Sequence, residues 1–322
     1  KLTGEYVDPG AGRITFETYA EEWRAVQVHR PSTAAQVETN LRRNVYPVIG
    51  NRPIGQIRTS EVQAMVKGLS ATLAPGTVEL VYRYTAAVFL AAVRDRVITS
   101  TPCEGIKLPK AERRQVVPMT LEQVVGLTEG LPARYRALVT LGAGSGLRQG
   151  EAFGLTVDRV DFLRGTVKVD RQLVLMPSGP PAFGPPKTEA SYRTIPVPQL
   201  VVDALSAHLA EFGRGPDGLI FTNTDGGPIR RTRFSDVWRP VAKAVGLPPR
   251  TGFHALRHFY ASALIHHGES VKVVQSRLGH ATAAETLDTY SHLWPDSEDR
   301  TRAAVEAAFQ PPADSTRTEA TR

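Results

Sequence analysis

HALRHFYASALIHHGESVKVVQSRLGHATAAETLDTY, residues 254–290, decides how the rest of the chain is read. It sets out HALRH, then LGH at 278–280, then a tyrosine at the end of AETLDTY. Arg257 brings a guanidinium, His254 and His280 two imidazoles, and Tyr290 a phenol, a set suited to attack on a phosphodiester. A spacing of three puts His254 and Arg257 on one helix face. His258 reads as rotated away from them, a packing or hydrogen-bonding residue. Gly279 reads as a helix stop ahead of His280, and His266 and His267 as the end of the helix that HALRH begins.

No carboxylate cluster accompanies these groups, whereas a two-metal nuclease needs several acids to hold its ions. The zinc pattern HExxH requires an acid where HALRH has Ala255. Neither a metal nor any other cofactor is expected, and the chain's own cations must neutralise developing charge. A lone tyrosine on a helix is ordinarily half-buried core. As a nucleophile its phenol, with a pKa near 10, needs cations or a base beside it.

Upstream, GSGLRQGEAFGL (144–155) puts Arg148 at the end of a glycine-rich turn and the start of a helix, where backbone amides and a guanidinium can face an anion. Glu151, one helical turn later, is placed to brace that arginine, although a GxG turn alone is equally compatible with a structural role. Between 164–176 (RGTVKVDRQLVLM) and 191–198 (SYRTIPVP), two β-rich runs, lies the Pro- and Gly-rich stretch PSGPPAFGPPKTEA. The pattern predicts a small antiparallel sheet with a flexible connection carrying Lys187.

The amino-terminal part is helical from Ile14 to about Ser100: FETYAEEWRAV, STAAQVETNLRRNVYPVIG, TSEVQAMVKGL and APGTVELVYRYTAAVFLAAVRDRV repeat apolar residues at three and four positions. Ser32, Ser60 and Pro75 sit where helices should start, which predicts a bundle of four or five helices. Residues 101–118 (TPCEGIKLPKAERRQVVP) lose this period and read as an extended basic linker. A second domain opens at Thr120 and Gln123, a capping-box spacing. Further helices are expected at LEQVVGLTEGL, YRALVTLGAGSG, QLVVDALSAHLAEF, TRFSDVWRPVAKAVG and VKVVQSRLG. Past Thr301 comes one short helical run, RAAVEAAF, then a tail poor in apolar residues that is expected to be disordered.

With 322 residues, 41% of them hydrophobic, the chain suits two domains with sizeable cores. Its 39 Lys and Arg against 32 acids leave +7, a balance that favours a polyanionic partner or serves solubility alone. Arg42, Arg43, Arg83, Lys107, Lys110, Arg113 and Arg114 are candidate DNA contacts, each equally readable as an ordinary solvated position. The single cysteine, Cys103, rules out an intrachain disulfide and fits a cytoplasmic setting. No apolar run of membrane-spanning length stands out, nor does a signal peptide.

In order along the chain, Arg148, Lys187, His254, Arg257, His280 and Tyr290 resemble the active-site set of the tyrosine recombinases, the phage integrase family. The contexts TGFHALRH, PPKTEASYRTIPV and SRLGH carry the resemblance, and LGHATAAETLDTYSHLWPDSEDR is most similar to integrases of actinobacterial phages and integrative elements. It extends from residue 14 to about residue 302.

The resemblance implies a mainly α fold with a small antiparallel β-sheet, arranged as a two-domain C-shaped clamp. A connector (1–13) would lead into a helical, SAM-like core-binding domain (14–100), the linker (101–118), a catalytic domain (119–300) and a tail (301–322). Site-specific DNA recombination through a 3′-phosphotyrosyl intermediate follows, integrating and also excising phage or mobile-element DNA. Tyr290 would be the nucleophile, Arg148 and Arg257 the phosphate clamp, Lys187 the general acid, His254 and His280 hydrogen-bonding or proton-transfer groups, and Glu151 a supporting residue. Double-stranded attachment sites, a homotetramer on DNA, a host DNA-bending protein and an excisionase are the implied partners, with no membrane. Alternative readings are a DNA-relaxing enzyme like a type IB topoisomerase, a catalytically silent DNA-binding regulator of the same fold, or a hydrolase outside nucleic acids. An arm-binding domain ahead of Lys1 is a further expectation.

Overall fold

A computed structural model describes residues 10–110, 115–174, 176, 179–294 and 298–309. The expected connector at 1–9, the linker residues Arg113 and Arg114, and the tail beyond 309 lie outside the described residues. The chain divides into two compact units, one of residues 1–114 with 174–182, the other of residues 115–173 with 183–322.

The first unit is a helical bundle of α1 (Phe16–Ala25), α2 (Pro31–Asn40), α3 (Thr59–Ser70) and α4 (Pro75–Arg94). A π-helical segment, Leu41–Gly50, follows α2 without a break and contains Pro47. Helix α4 begins at Pro75 as expected, whereas α2 and α3 each begin one residue before the expected serine. Pro31 occupies the first turn of α2, its missing N–H costing nothing there, and Ser32 falls inside. In α3 the cap is Arg58, whose backbone N–H donates to Glu61, so Ser60 is also internal. Phe16, Leu41, Val45, Ile54, Val81 and Phe89 are buried together, and the Phe16 and Phe89 rings lie 5.0 Å apart.

Helix α4 is long and apolar enough to cross a membrane by length and composition alone, a test that the core helix of a bundle also passes. Its Val78, Val81, Val88, Phe89 and Ala92 point into the bundle, which accounts for that apolar character. The first part of the expected linker is docked and not free. Gln63 brackets the Lys107 backbone with two hydrogen bonds, and the Tyr82 hydroxyl donates to the Cys103 carbonyl (2.6 Å). Burial pushes the Cys103 thiol up to about 11, which leaves it protonated and unreactive.

In the second unit, α5 (Leu121–Gly130) carries the capping box expected at Thr120 and Gln123. It packs on α6 (Ala133–Ser145), which also meets α8 (Gln199–Phe212) and α10 (His254–His266). The glycines of LGAGSG are mostly helical, not a turn. A Cβ on Gly142 would lie 2.8 Å from Leu256 Cδ1 and 2.9 Å from Phe253, so its bareness lets α6 and α10 approach. Only Gly146, at φ 63°, turns the chain, and there any side chain would be strained and would strike Tyr260.

From that turn runs α7 (Gln149–Phe153), followed by β1 (Val160–Asp161), β2 (Thr166–Val169) and β5 (Arg193–Pro196), which form an antiparallel sheet in that order. Val167 sits opposite Ile195, both fully buried, while Lys168 faces Thr194 on the other side. The stretch read as a flexible connection contains β4 (Ala182–Gly184), paired with β3 (Gln172–Val174). Helix α9 (Arg231–Ala244) closes an aromatic core of Phe153, Phe234, Trp238 and Phe253. Next come α11 (Val271–Leu278), α12 (Ala283–Tyr290) and α13 (Glu298–Phe309).

Candidate active site

Arg148 caps the amino end of α7. Its backbone N–H donates to Glu151 Oε2 (2.9 Å) and its Nη1 to Oε1 (3.0 Å), the bracing that the sequence suggested. Nη1 also reaches Ser191 Oγ (3.2 Å), and Nη2 donates to the Gly279 carbonyl (2.9 Å).

The neighbouring carbonyl, that of Leu278, accepts from Arg257 Nη2 (2.7 Å), while Arg257 Nη1 donates to the Gly146 carbonyl (2.8 Å). Two adjacent peptide groups therefore hold two guanidiniums side by side. Gly279 makes this possible at φ 66°, with a Cβ position only 2.9 Å from the Ala190 carbonyl. Arg257 is 1% exposed. Burial first, then the charge of Arg148, draws its pKa down to about 9, so it stays cationic at neutral pH.

Arg193 was not singled out by the sequence reading. Its Nη2 and Nη1 donate to the two oxygens of Glu151 (2.8 and 3.2 Å), and its Nε donates to the Arg277 carbonyl (2.8 Å). Burial alone would push the Glu151 carboxyl up, but the Arg193 hydrogen bond and the charges of Arg193 and Arg148 outweigh it, and the pKa falls below its ordinary value. One buried carboxylate thus holds two arginines from different elements.

His280 follows the Gly279 turn. Its Nδ1 pairs with Thr286 Oγ1 (2.9 Å), fixing the ring. Burial, then Arg257 and Arg148, push its pKa down to about 3. The ring is therefore neutral at physiological pH, and Glu285, 3.7 Å from Nε2, faces no imidazolium. His254 opens α10 with its outer edge exposed. Burial of its inner side, then His258 and Arg257, push it down to about 4. Both histidines are therefore uncharged near neutral pH.

Tyr290 ends α12 at 1% exposure, its ring parallel to that of His280 with centroids 6.4 Å apart. Burial raises its pKa to about 12, with the Arg257 charge opposing. A phosphate can meet this oxygen only after its cover shifts. The phenol oxygen lies 2.8 Å from His258 Nδ1. His258 is consequently not rotated away from the site. At 100° per residue, positions three and four along a helix flank the same face, so His254, Arg257 and His258 all point inward.

Lys187 is exposed in the loop between β4 and β5. Among the described residues it makes no hydrogen bond or ion pair with the other five. Its neighbour Thr188 does join the network, through Ser191 Oγ (2.9 Å), the same hydroxyl that contacts Arg148. Of the cations assigned to DNA, Arg42 is engaged by Glu38 (3.2 Å) and Glu21 (3.5 Å). Arg43, Arg83, Lys107 and Lys110 are exposed.

Comparison with known proteins places this geometry. Residues 116–296 match the phage integrase family, and residues 16–108 the phage integrase central domain. The integrase of Mycobacterium phage FRAT1 is 27% identical over 286 residues, covering 84% of this chain and 82% of its own. Among solved structures, the Tn1549 transposon integrase in complex with transposon right end DNA superposes with a TM-score of 0.79 at 23% identity, covering 92% of this chain and 100% of that one. A lambda integrase tetramer bound to a Holliday junction gives 0.68 at 17% identity, over 92% and 86% of the two chains. With more than half of its length matched, the chain belongs to the phage integrase family and is a site-specific DNA recombinase of the tyrosine class.

Proposed function

We propose that Tyr290 is the nucleophile, attacking a DNA phosphodiester to leave a 3′-phosphotyrosyl link and a free 5′-hydroxyl. The observation that carries this is the pair of guanidiniums on the consecutive carbonyls of Leu278 and Gly279. Their spare N–H groups form a fixed double cation, next to the one buried phenol that ends α12. Such preorganised donors stabilise the charge that grows on the non-bridging oxygens in the transition state. His254 and His280, neutral and partly pinned, hydrogen-bond the same phosphate. Lys187, on an exposed loop beside the Thr188–Ser191 link, protonates the leaving 5′-oxygen. Glu151 orients Arg148.

The covalent link conserves the energy of the phosphodiester, so strands rejoin without ATP. The helical part, 14–100, holds DNA with Arg43 and Arg83 among its contacts, Arg42 contributing less because its charge is shared with Glu21 and Glu38, and the linker adds Lys107 and Lys110. Residues 119–300 perform the chemistry. Four copies acting on paired double-stranded attachment sites, as the lambda integrase tetramer does on its junction, suit integration and excision, with a host DNA-bending protein and an excisionase as accessory factors in the cytoplasm.

Tyr290→Phe should abolish the SDS-resistant protein–DNA adduct while leaving the salt-dependent affinity for duplex DNA largely intact. Sequencing the DNA trapped on the wild-type chain reports target and polarity together. An adduct that survives in the Phe variant would remove Tyr290 from this role.

A further inference from the structure

We propose that His258 is a catalytic residue whose Nδ1 accepts the phenol proton as Tyr290 attacks, a role that rests on Tyr290 being the nucleophile. The proposal stands first on contact. His258 Nδ1 lies 2.8 Å from the Tyr290 oxygen, inside hydrogen-bond range. His280 spends its Nδ1 on Thr286 and lies parallel to the Tyr290 ring. His254 meets His258 edge-on, with ring centroids 4.8 Å apart.

The groups facing His258 are His254 and Arg257 from its own helix and Tyr290 from α12, with His280 interacting through charge. On the 3-10 turn Ser291–Leu293, which also packs against α10, His292 instead bonds the Val116 carbonyl (2.8 Å). Among the described residues no carboxylate faces it. Burial, then Arg257, hold the His258 pKa below its ordinary value, so the ring is uncharged near pH 7 and free to accept a proton. Burial has raised the Tyr290 phenol, and free ionisation would leave almost no phenolate. Transfer during attack avoids that population cost.

The step balances. The bond between the Tyr290 oxygen and phosphorus forms, the bond from phosphorus to the 5′-oxygen breaks, the phenol proton goes to His258 Nδ1, and the 5′-oxygen takes its proton from Lys187. On rejoining, the 5′-hydroxyl attacks phosphorus and gives its proton back to Lys187, while His258 returns its proton to the departing phenolate.

The test compares wild type and His258→Asn on a nicked duplex of the sequence recovered from trapped adducts. Asn keeps an acceptor near the Nδ1 position but takes no proton. Adduct formation should slow by about a hundredfold or more, with DNA affinity unchanged. The wild-type rate should fall with acid below pH 6.5, as the imidazole protonates, and the variant should lose that limb. A duplex with sulfur at the 5′-bridging position needs no leaving-group proton, so it should restore Lys187→Ala and leave His258→Asn slow. An Asn variant within threefold of wild type, or one rescued by the thiolate leaving group, overturns the proposal and leaves Tyr290 in place. Absence of any adduct from the wild type overturns both. Nitrogen-15 spectra of histidine-labelled wild type decide the matter even if the variant fails to fold: Nδ1 must be the unprotonated nitrogen at neutral pH, and an Nδ1–H tautomer contradicts the role.

Discussion

Helices α10 and α12 each carry half of the proposed chemistry, and the fold holds them differently. Helix α10 buries Leu256, Arg257, Tyr260, Ala261 and Ile265 along its length, against α6 and α11. Helix α12 buries only Thr286 and Tyr290. The half proposed to supply the electrostatic field is thus part of the core, and the half proposed to supply the nucleophile is a short helix held at two points. A field that must be in place before the reaction belongs on a rigid element. A nucleophile that must leave its cover to reach a phosphate belongs on a lightly held one.

Removing Arg257 should give the largest effect. Arg257→Ala leaves the Gly146 and Leu278 carbonyls without their donors in a buried setting, for about 2 to 4 kcal/mol of lost stability in urea unfolding. Relief from burying a cation offsets part of this. Cleavage should drop by roughly a hundredfold or more. Arg257→Lys should rescue little, because one ammonium cannot span two carbonyls set by a planar fork. Were Arg257→Ala as stable as wild type, α10 would not be the anchored half.

Arg193 comes next, because it acts through Glu151. Arg193→Gln breaks one side of a buried ion pair and should cost roughly 3 kcal/mol at neutral pH, the low end for such pairs since Arg148 remains. The pH dependence gives a second readout. The folded pKa of Glu151 is depressed, so its contribution is fully present above the unfolded value near 4.5 and fades as pH falls through the folded value. In Arg193→Gln, burial prevails and the carboxyl pKa rises, so acidification below pH 4.5 should remove less stability than in wild type. Urea midpoints across pH 3–7 check this. Parallel curves for the two proteins would show that Arg193 does not hold the carboxylate.

These two arginines also mark what the sequence could and could not reveal. Arg148, Glu151 and the Gly279 turn follow helix-end grammar, an acid three residues from a cap and a glycine past the last turn, so local pattern finds them. Arg193 sits in SYRTIPV and looks like any polar strand residue. Its partner Glu151 lies 42 positions earlier, and only tertiary folding joins them. His258 was visible but assigned to the wrong face, because a spacing of four was treated as pointing away from a spacing of three. The β3–β4 pair was hidden by prolines and glycines that normally signal loops. Family resemblance supplied Lys187, whose side chain, among the described residues, makes no hydrogen bond or ion pair with the other candidates.

Thr286 gives the smallest effect and the sharpest test of the contrast. It is fully buried on α12, and its hydroxyl holds His280 Nδ1 (2.9 Å). Thr286→Val keeps the shape and removes that one partner, so the loss should be about 1 kcal/mol, the worth of a single neutral hydrogen bond. Cleavage should slow by no more than roughly fivefold, the factor to which such an energy corresponds. Histidine NMR should show His280 sampling both tautomers, since the Thr286 hydroxyl is the partner that holds Nδ1. If Thr286→Val unfolds as readily as Arg257→Ala, α12 is as deeply anchored as α10, and the release of Tyr290 would require a larger rearrangement than the turning of one lightly held helix.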